Sequence, residues 1–237
     1  MADPKEPYDF EDADDEPEIW DEHRWERFMQ ESDMRSEKYR RLLEKYLDHP
    51  DRDKIIAKEM GWDWLLDEME AEERGDTPDD EDYEMDDIFD DETDEGEEWK
   101  EHTGYESYEF DSVKNLSVYR KAFQYGLDAI DLVKQIGEER QEEVLSEFVG
   151  AAMIPGAKIS GGFAMGFDME SLGGNIANCK RGLAAANRAL NALDIMRDEG
   201  IIDNDVHEDY CRRGKEVRDE LALYIEELRE RFRRGIE

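Results

Sequence analysis

The chain has 237 residues, with 68 Asp and Glu against 31 Lys and Arg, a formal net charge of -37 and 38% hydrophobic residues. Such a carboxylate excess argues against duplex binding by phosphate neutralisation, and no uninterrupted run of 18 or more apolar residues points to a membrane span. The opening MADPKEPYDFEDADDEP lacks the basic and apolar regions of a signal peptide, and Cys179 and Cys211 have neither the number of a disulfide scaffold nor zinc-site spacing, so a cytoplasmic protein without membrane association is expected.

Charge divides the chain. Up to Asp111 there are 45 acidic and 13 basic residues, and beyond it 23 and 18. All five tryptophans lie in the first part, whereas most of the Ala, Gly and Leu lie in the second, so a domain boundary is placed at 111/112. Residues 1–17 and 73–111 are acidic and poor in apolar side chains, which predicts disorder because little burial is available to offset the entropy of ordering. Between them, residues 18–72 are predicted to form a helical hairpin. Phe28, Tyr39, Leu42, Leu43, Tyr46 and Leu47 stripe a first helix that ends at Asp48-His49-Pro50. Ile55, Ile56, Met60, Trp64, Leu65 and Met69 stripe a second, over 52–72, with Asp51 or Asp53 as its N-cap. A segment of this size makes a small core, so docking on the second domain or on a partner is expected.

From residue 112 to 237 the periodicity predicts an antiparallel up-down-up-down four-helix bundle, and the whole protein is read as all-α. Val118, Ala122, Tyr125, Ala129, Leu132 and Ile136 keep the spacing of a bundle seam, and Gly137 can end that helix. A second helix carries Leu145, Phe148 and Ala152, and Pro155 should kink or end it before the glycine-rich stretch 156–166. The third runs from an Asp168 N-cap to a Gly200 stop, with Leu172, Ile176, Cys179, Leu183, Ala186, Leu190 and Leu193 on its seam. The fourth begins at Asp203, carries Val217, Leu221 and Leu228, and ends in arginines suited to the negative helix pole. Ile159, Leu172, Ile176, Leu183, Leu190, Leu221 and Leu228 are the residues expected to hold the bundle together.

By Val118-Tyr119-Arg120-Lys121-Ala122 in an aromatic-rich first helix, and by Ala151, Ala152, Ile159, Gly162 and Phe163 within Gly150–Phe163, residues 113–234 resemble the four-helix bundle proteins of the 23S rRNA-intervening-sequence family. That stretch is similar to the family pattern R-A-A-x-S-I-P-x-N-I-A-E-G-F, with Ile154-Pro155 one position displaced and glycines at 150 and 161 in place of the family's Arg and Glu. It implies an antiparallel bundle, often a ring-like homo-oligomer, with no established enzymatic role. Related bundles accompanying diversity-generating reverse transcriptases meet nucleic acid with basic surfaces. The acidic extension, residues 1–111, lies outside the family pattern.

Several stretches invite specific chemistry. Gly161 and Gly166 have the outer spacing of a phosphate loop, but Phe167-Asp168 follows where Lys-Ser/Thr is required. Counting a calcium loop from Asp91 places Gly96 correctly and puts His102 where a bidentate Glu belongs, so diffuse cation binding is expected there. No histidine in a bundle helix has Glu three residues before it, as a di-metal carboxylate site needs, although His207 follows Asp203 by one turn. Both cysteines read as buried, unreactive thiols, with His207, one turn from Cys211, the one nearby base. These readings predict no enzyme, no cofactor and no metal.

The expectation for function is therefore a non-enzymatic, homo-oligomeric scaffold whose acidic, aromatic-studded arm binds a basic protein. Trp20, Trp25, Phe28, Trp62, Trp64, Phe89 and Trp99 are the candidate anchors. The alternative is a ribosome- or nucleic-acid-associated bundle autoinhibited by the arm. Its phosphate contacts would come from Arg212, Arg213, Lys215, Arg218, Arg229, Arg231, Arg233 and Arg234.

Overall fold

The structure, a computed structural model, describes residues 18–74, 113–137 and 143–236. Among these the chain is all-α: α1 Glu22–Lys45, α2 Arg52–Met60, α3 Asp63–Arg74, α4 Ser117–Ile136, α5 Glu143–Met165, α6 Met169–Asp198 and α7 Asn204–Ile236. It divides into two units, one made of Met1–Glu26 with Glu109–Glu237 and the other of Arg27–Tyr108. The division falls inside α1, so the first turn of that helix belongs with the bundle.

In the second unit the helix expected over 52–72 is two helices. Gly61 takes the left-handed conformation at φ 73°, its N–H meets the carbonyls of Ala57 and Lys58, and the Trp62 N–H reaches the Ala57 carbonyl at 2.9 Å. This is a glycine C-cap, and it turns the chain before α3 begins. Among the described residues Leu42, Ile56 and Ala57 are the buried apolar side chains here. Polar contacts tie α1 to α2: the Tyr46 hydroxyl donates to Glu59 at 2.7 Å, and Lys38 donates to the Glu59 carbonyl.

In the first unit α4 packs on α5, α5 on α6, α6 on α7, and α7 back on α4. Short connections at 166–168 and 199–203 force neighbouring helices to run antiparallel, which gives the up-and-down bundle that the periodicity predicts. The α4 seam is buried from Val118 to Leu132, and Ile136 packs partly buried against the same core. Phe148 stands at its centre, fully buried, with the Tyr125 and Tyr210 rings at 6.4 and 6.2 Å. α6 is buried on more than one face because small residues at 173, 174, 177, 182, 185 and 189 let its neighbours approach. Leu183, expected on the seam, is half-buried at its edge, while Gly182 faces inward against Pro155 and Leu221.

Pro155 does not end its helix. α5 continues ten residues past it to Met165. A mid-helix proline removes one hydrogen bond and costs about 3 kcal/mol. Tertiary packing offsets that cost: Pro155, Gly156, Ile159 and Gly162 are all buried, and an added Cβ on Gly156 would lie 3.4 Å from the Phe123 nitrogen. Asp168 occupies the N-cap position of α6 in extended conformation but makes no side-chain cap bond, whereas Asp203 does cap α7, accepting from the Val206 N–H at 2.8 Å. Among the described residues α5 is the helix long and apolar enough, by length and composition, to cross a bilayer; here its buried stripe is part of the bundle core.

Candidate functional site

Two arrangements in the first unit carry chemistry. One is the segment that enters α1. Asp21 accepts from the backbone N–H groups of His23 and Arg24 at 3.0 and 2.8 Å and so starts the helix. Trp20 and Trp25 then meet edge to face at 5.3 Å between ring centroids, with the Arg24 guanidinium 4.4 Å above the Trp20 ring. They rest on Gly173 and Gly174 of α6. A Cβ on Gly173 would collide with the Trp20 carbonyl and lie 2.8 Å from Trp25 Cδ1, and one on Gly174 would lie 3.1 Å from Trp25 Cδ2. Two adjacent glycines thus make a floor that another residue pair would fill.

Carboxylates fix the same segment. Glu22 accepts from Arg229 Nε and Nη2 at 2.8 and 2.7 Å and from Lys180 Nζ at 2.9 Å. These hydrogen bonds, led by those from Arg229, hold its carboxyl at about 2, below the usual 4.5. One turn on, Glu26 takes the Arg181 guanidinium at 2.9 and 3.2 Å. The glycine pair and the ion pairs together register the acidic segment along α6 and α7.

The second arrangement joins α6 to α7. His207 and Cys211 lie one turn apart on α7, and Asp194 faces them from α6. His207 Nε2 is 2.8 Å from Asp194 Oδ1, 3.3 Å from Cys211 Sγ and 3.3 Å from Arg197 Nη1. His207 and Cys211 are buried, and the Asp194 side chain is half open to solvent. Burial, then the Asp194 carboxylate, raises the Cys211 thiol above its ordinary value. Cys179, fully buried and away from this group, is pushed up to about 12 by burial alone and is inert. The cluster is not a hydrolytic triad, because acid and thiol approach the same ring nitrogen, whereas a triad needs one at each nitrogen.

The residues singled out from sequence fall into different places. Trp20 and Trp25 are engaged within the chain, as above. Trp62 is half-buried against the Tyr39 ring at 5.5 Å. Phe28 and Trp64 are 51% and 66% exposed, and Phe89 and Trp99 lie outside the described residues, as does the acidic stretch 91–102. The Gly161–Gly166 stretch is the last turn of α5 and its C-terminal glycine, so no phosphate loop exists there.

The bundle's cations are largely spoken for. Arg212 pairs with Asp209 and Glu216 at 2.6 and 2.9 Å, Arg218 with Asp219 at 2.6 Å and Arg234 with Glu230 at 3.1 Å. Arg213 bonds Asp128 and lies 4.3 Å over the Tyr210 ring, Arg231 lies 5.0 Å over Phe167, and Arg233 donates to the Arg229 carbonyl. Lys215 is exposed. The sequence reading missed the Gly173-Gly174 floor, the Glu22–Arg229 pair and the contribution of Asp194.

No family model, curated protein or solved structure matches the chain. The likeness to the intervening-sequence bundles therefore rests on the residues themselves.

Proposed function

We propose that the protein is a non-enzymatic interaction scaffold in which a homo-oligomeric four-helix bundle, related to the 23S rRNA-intervening-sequence proteins, anchors an acidic arm that captures a basic protein in the cytoplasm. The observation that carries this reading is the docking of residues 18–26: tryptophans seated on a glycine floor beside carboxylates clasping Arg229, Lys180 and Arg181. The arm's described beginning recognises cationic side chains by rings plus carboxylates, and residues 75–111, with 19 acidic residues and one basic, extend that chemistry. Exposed Trp64 is a further anchor. Phe123 and Met153, exposed on neighbouring helices and seated over Gly156 and Gly126, favour self-association through α4 and α5. Several arms on one oligomer would then add avidity.

The alternative, a nucleic-acid-binding bundle covered by its own arm, is favoured by one observation: Glu22 lies on Arg229, one of the candidate phosphate contacts. Against it stands the pairing of Arg212, Arg218 and Arg234 by acids on their own helix, which leaves little field for phosphate.

Affinity capture with the intact chain, and with a form in which Asp and Glu between 76 and 98 are changed to Asn and Gln, tests the proposal. Basic proteins retained through nuclease treatment by the native chain and lost with the neutralised one are the expected result. Retention of RNA by both forms, abolished by nuclease, would overturn it.

A further inference from the structure

We propose that Asp194, His207 and Cys211 bind a single thiophilic divalent cation of the zinc class. A carboxylate oxygen, an imidazole nitrogen and a sulfur, one atom from each, all lie within 4.8 Å of one another. A tetrahedral ion with bonds of about 2.0–2.3 Å sets its ligand atoms roughly 3.3–3.8 Å apart. The 2.8 Å from nitrogen to oxygen and 3.3 Å from nitrogen to sulfur come within about half an ångström of that spacing.

A second observation points to a ligand. His207 Nε2 has three polar neighbours, and without a cation it cannot serve them all. If it carries a proton it donates to Asp194 and turns a donor toward the donor Arg197; if it carries none it accepts from Arg197 and leaves the Asp194 carboxylate facing a lone pair. An ion at the point of convergence answers the oxygen, the nitrogen and the sulfur together. Binding takes one proton from the Cys211 thiol to solvent, and the resulting thiolate and carboxylate neutralise a dication. Arg197 can yield, because its Nε and Nη2 are already held by Asp198 at 2.9 and 2.8 Å, and the 3.5 Å contact of its Nη1 with Asp194 Oδ1 is what it gives up to the ion. The half-open Asp194 edge is the route of entry, and three protein ligands leave a fourth position for water.

The test must separate this site from the diffuse binding that 68 carboxylates guarantee. The intact chain, reduced and stripped of metal by a chelator, is titrated with cobalt(II) chloride and then with zinc sulfate. The expected result is a near-ultraviolet thiolate-to-cobalt charge-transfer band that saturates at one ion per chain and is erased by zinc. The band is absent from Cys211→Ser and retained by Cys179→Ser. Affinity drops by more than about tenfold in His207→Gln and in Asp194→Asn, the latter a surface change that leaves the fold intact by circular dichroism. No thiolate band in the native chain, a band that survives Cys211→Ser, or native affinity in Asp194→Asn would overturn the proposal.

Discussion

Arg229 holds Glu22 by two parallel hydrogen bonds, 2.8 Å from Nε and 2.7 Å from Nη2, although 207 positions of chain separate them. A bidentate guanidinium–carboxylate pair fixes both direction and distance, so this contact sets where the entry to α1 meets the end of α7. Lys180 adds a second cation to the same carboxylate from α6.

The Glu22 pair makes docking acid-sensitive. Its carboxyl is depressed in the folded chain from 4.5 to about 2, so its contribution is complete above about 4.5 and is lost as pH falls from there toward 2. After discounting for solvent at the pair's open edge, that contribution is on the order of 1–2 kcal/mol. Tryptophan emission of the native chain should shift to the red over this window, and Glu22→Gln should remove most of the pH dependence while starting from a red-shifted value at neutral pH.

Gly173→Ala separates docking from folding. The added methyl strikes the Trp20 backbone, which has no flexible end to move aside, so residues 18–26 should leave α6. Within the helix itself Gly→Ala is favourable by roughly 0.5–1 kcal/mol. Red-shifted tryptophan emission with an unchanged or raised melting temperature is the expected pair of results. Gly174→Ala should do less, since the nearest atom its methyl meets is the free end of the Met165 side chain.

Core and edge positions of the bundle should respond differently. Phe148→Ala removes a fully buried ring and should cost about 3–5 kcal/mol in urea unfolding followed by circular dichroism. Leu193→Asp places a charge in a fully buried position and should abolish folding, whereas Leu183→Asp, at the half-buried edge, should be clearly milder.

Self-association through α4 and α5 predicts that Phe123→Glu combined with Met153→Glu lowers the mass found by light scattering without loss of helix. Both side chains are about half exposed, at 52% and 48%, so the folded bundle tolerates the change.

The bundle was legible because its seams repeat at helical period: Val118 to Leu132, and Leu172 to Leu193 except for Leu183, which falls half-buried at the edge, could be placed on inward faces from spacing alone. Pro155, expected to kink or end its helix, does not end it, because a local helix breaker was overruled by packing that no window of sequence contains. Gly61 was missed for the opposite reason, as a lone glycine in a helical pattern gives no sign of whether it will take positive φ. Docking of Trp20 and Trp25 on Gly173-Gly174 was illegible, since it is shape complementarity between segments about 150 residues apart in chain order. The Asp194–His207 approach did leave a signal. The two residues stand nearly equidistant from Gly200, and in an antiparallel helix pair with a short turn such positions face one another.

The most direct test of the account is titration of labelled structured RNA, across a range of salt, against the intact chain and the undocked Gly173→Ala form. If the arm is a receptor for cationic protein, neither form binds RNA in a salt-sensitive way, because Arg212, Arg213, Arg218, Arg229 and Arg234 keep acids on their own helix. Salt-sensitive RNA binding that appears only in Gly173→Ala would contradict the account and make residues 18–26 a cover over a nucleic-acid site.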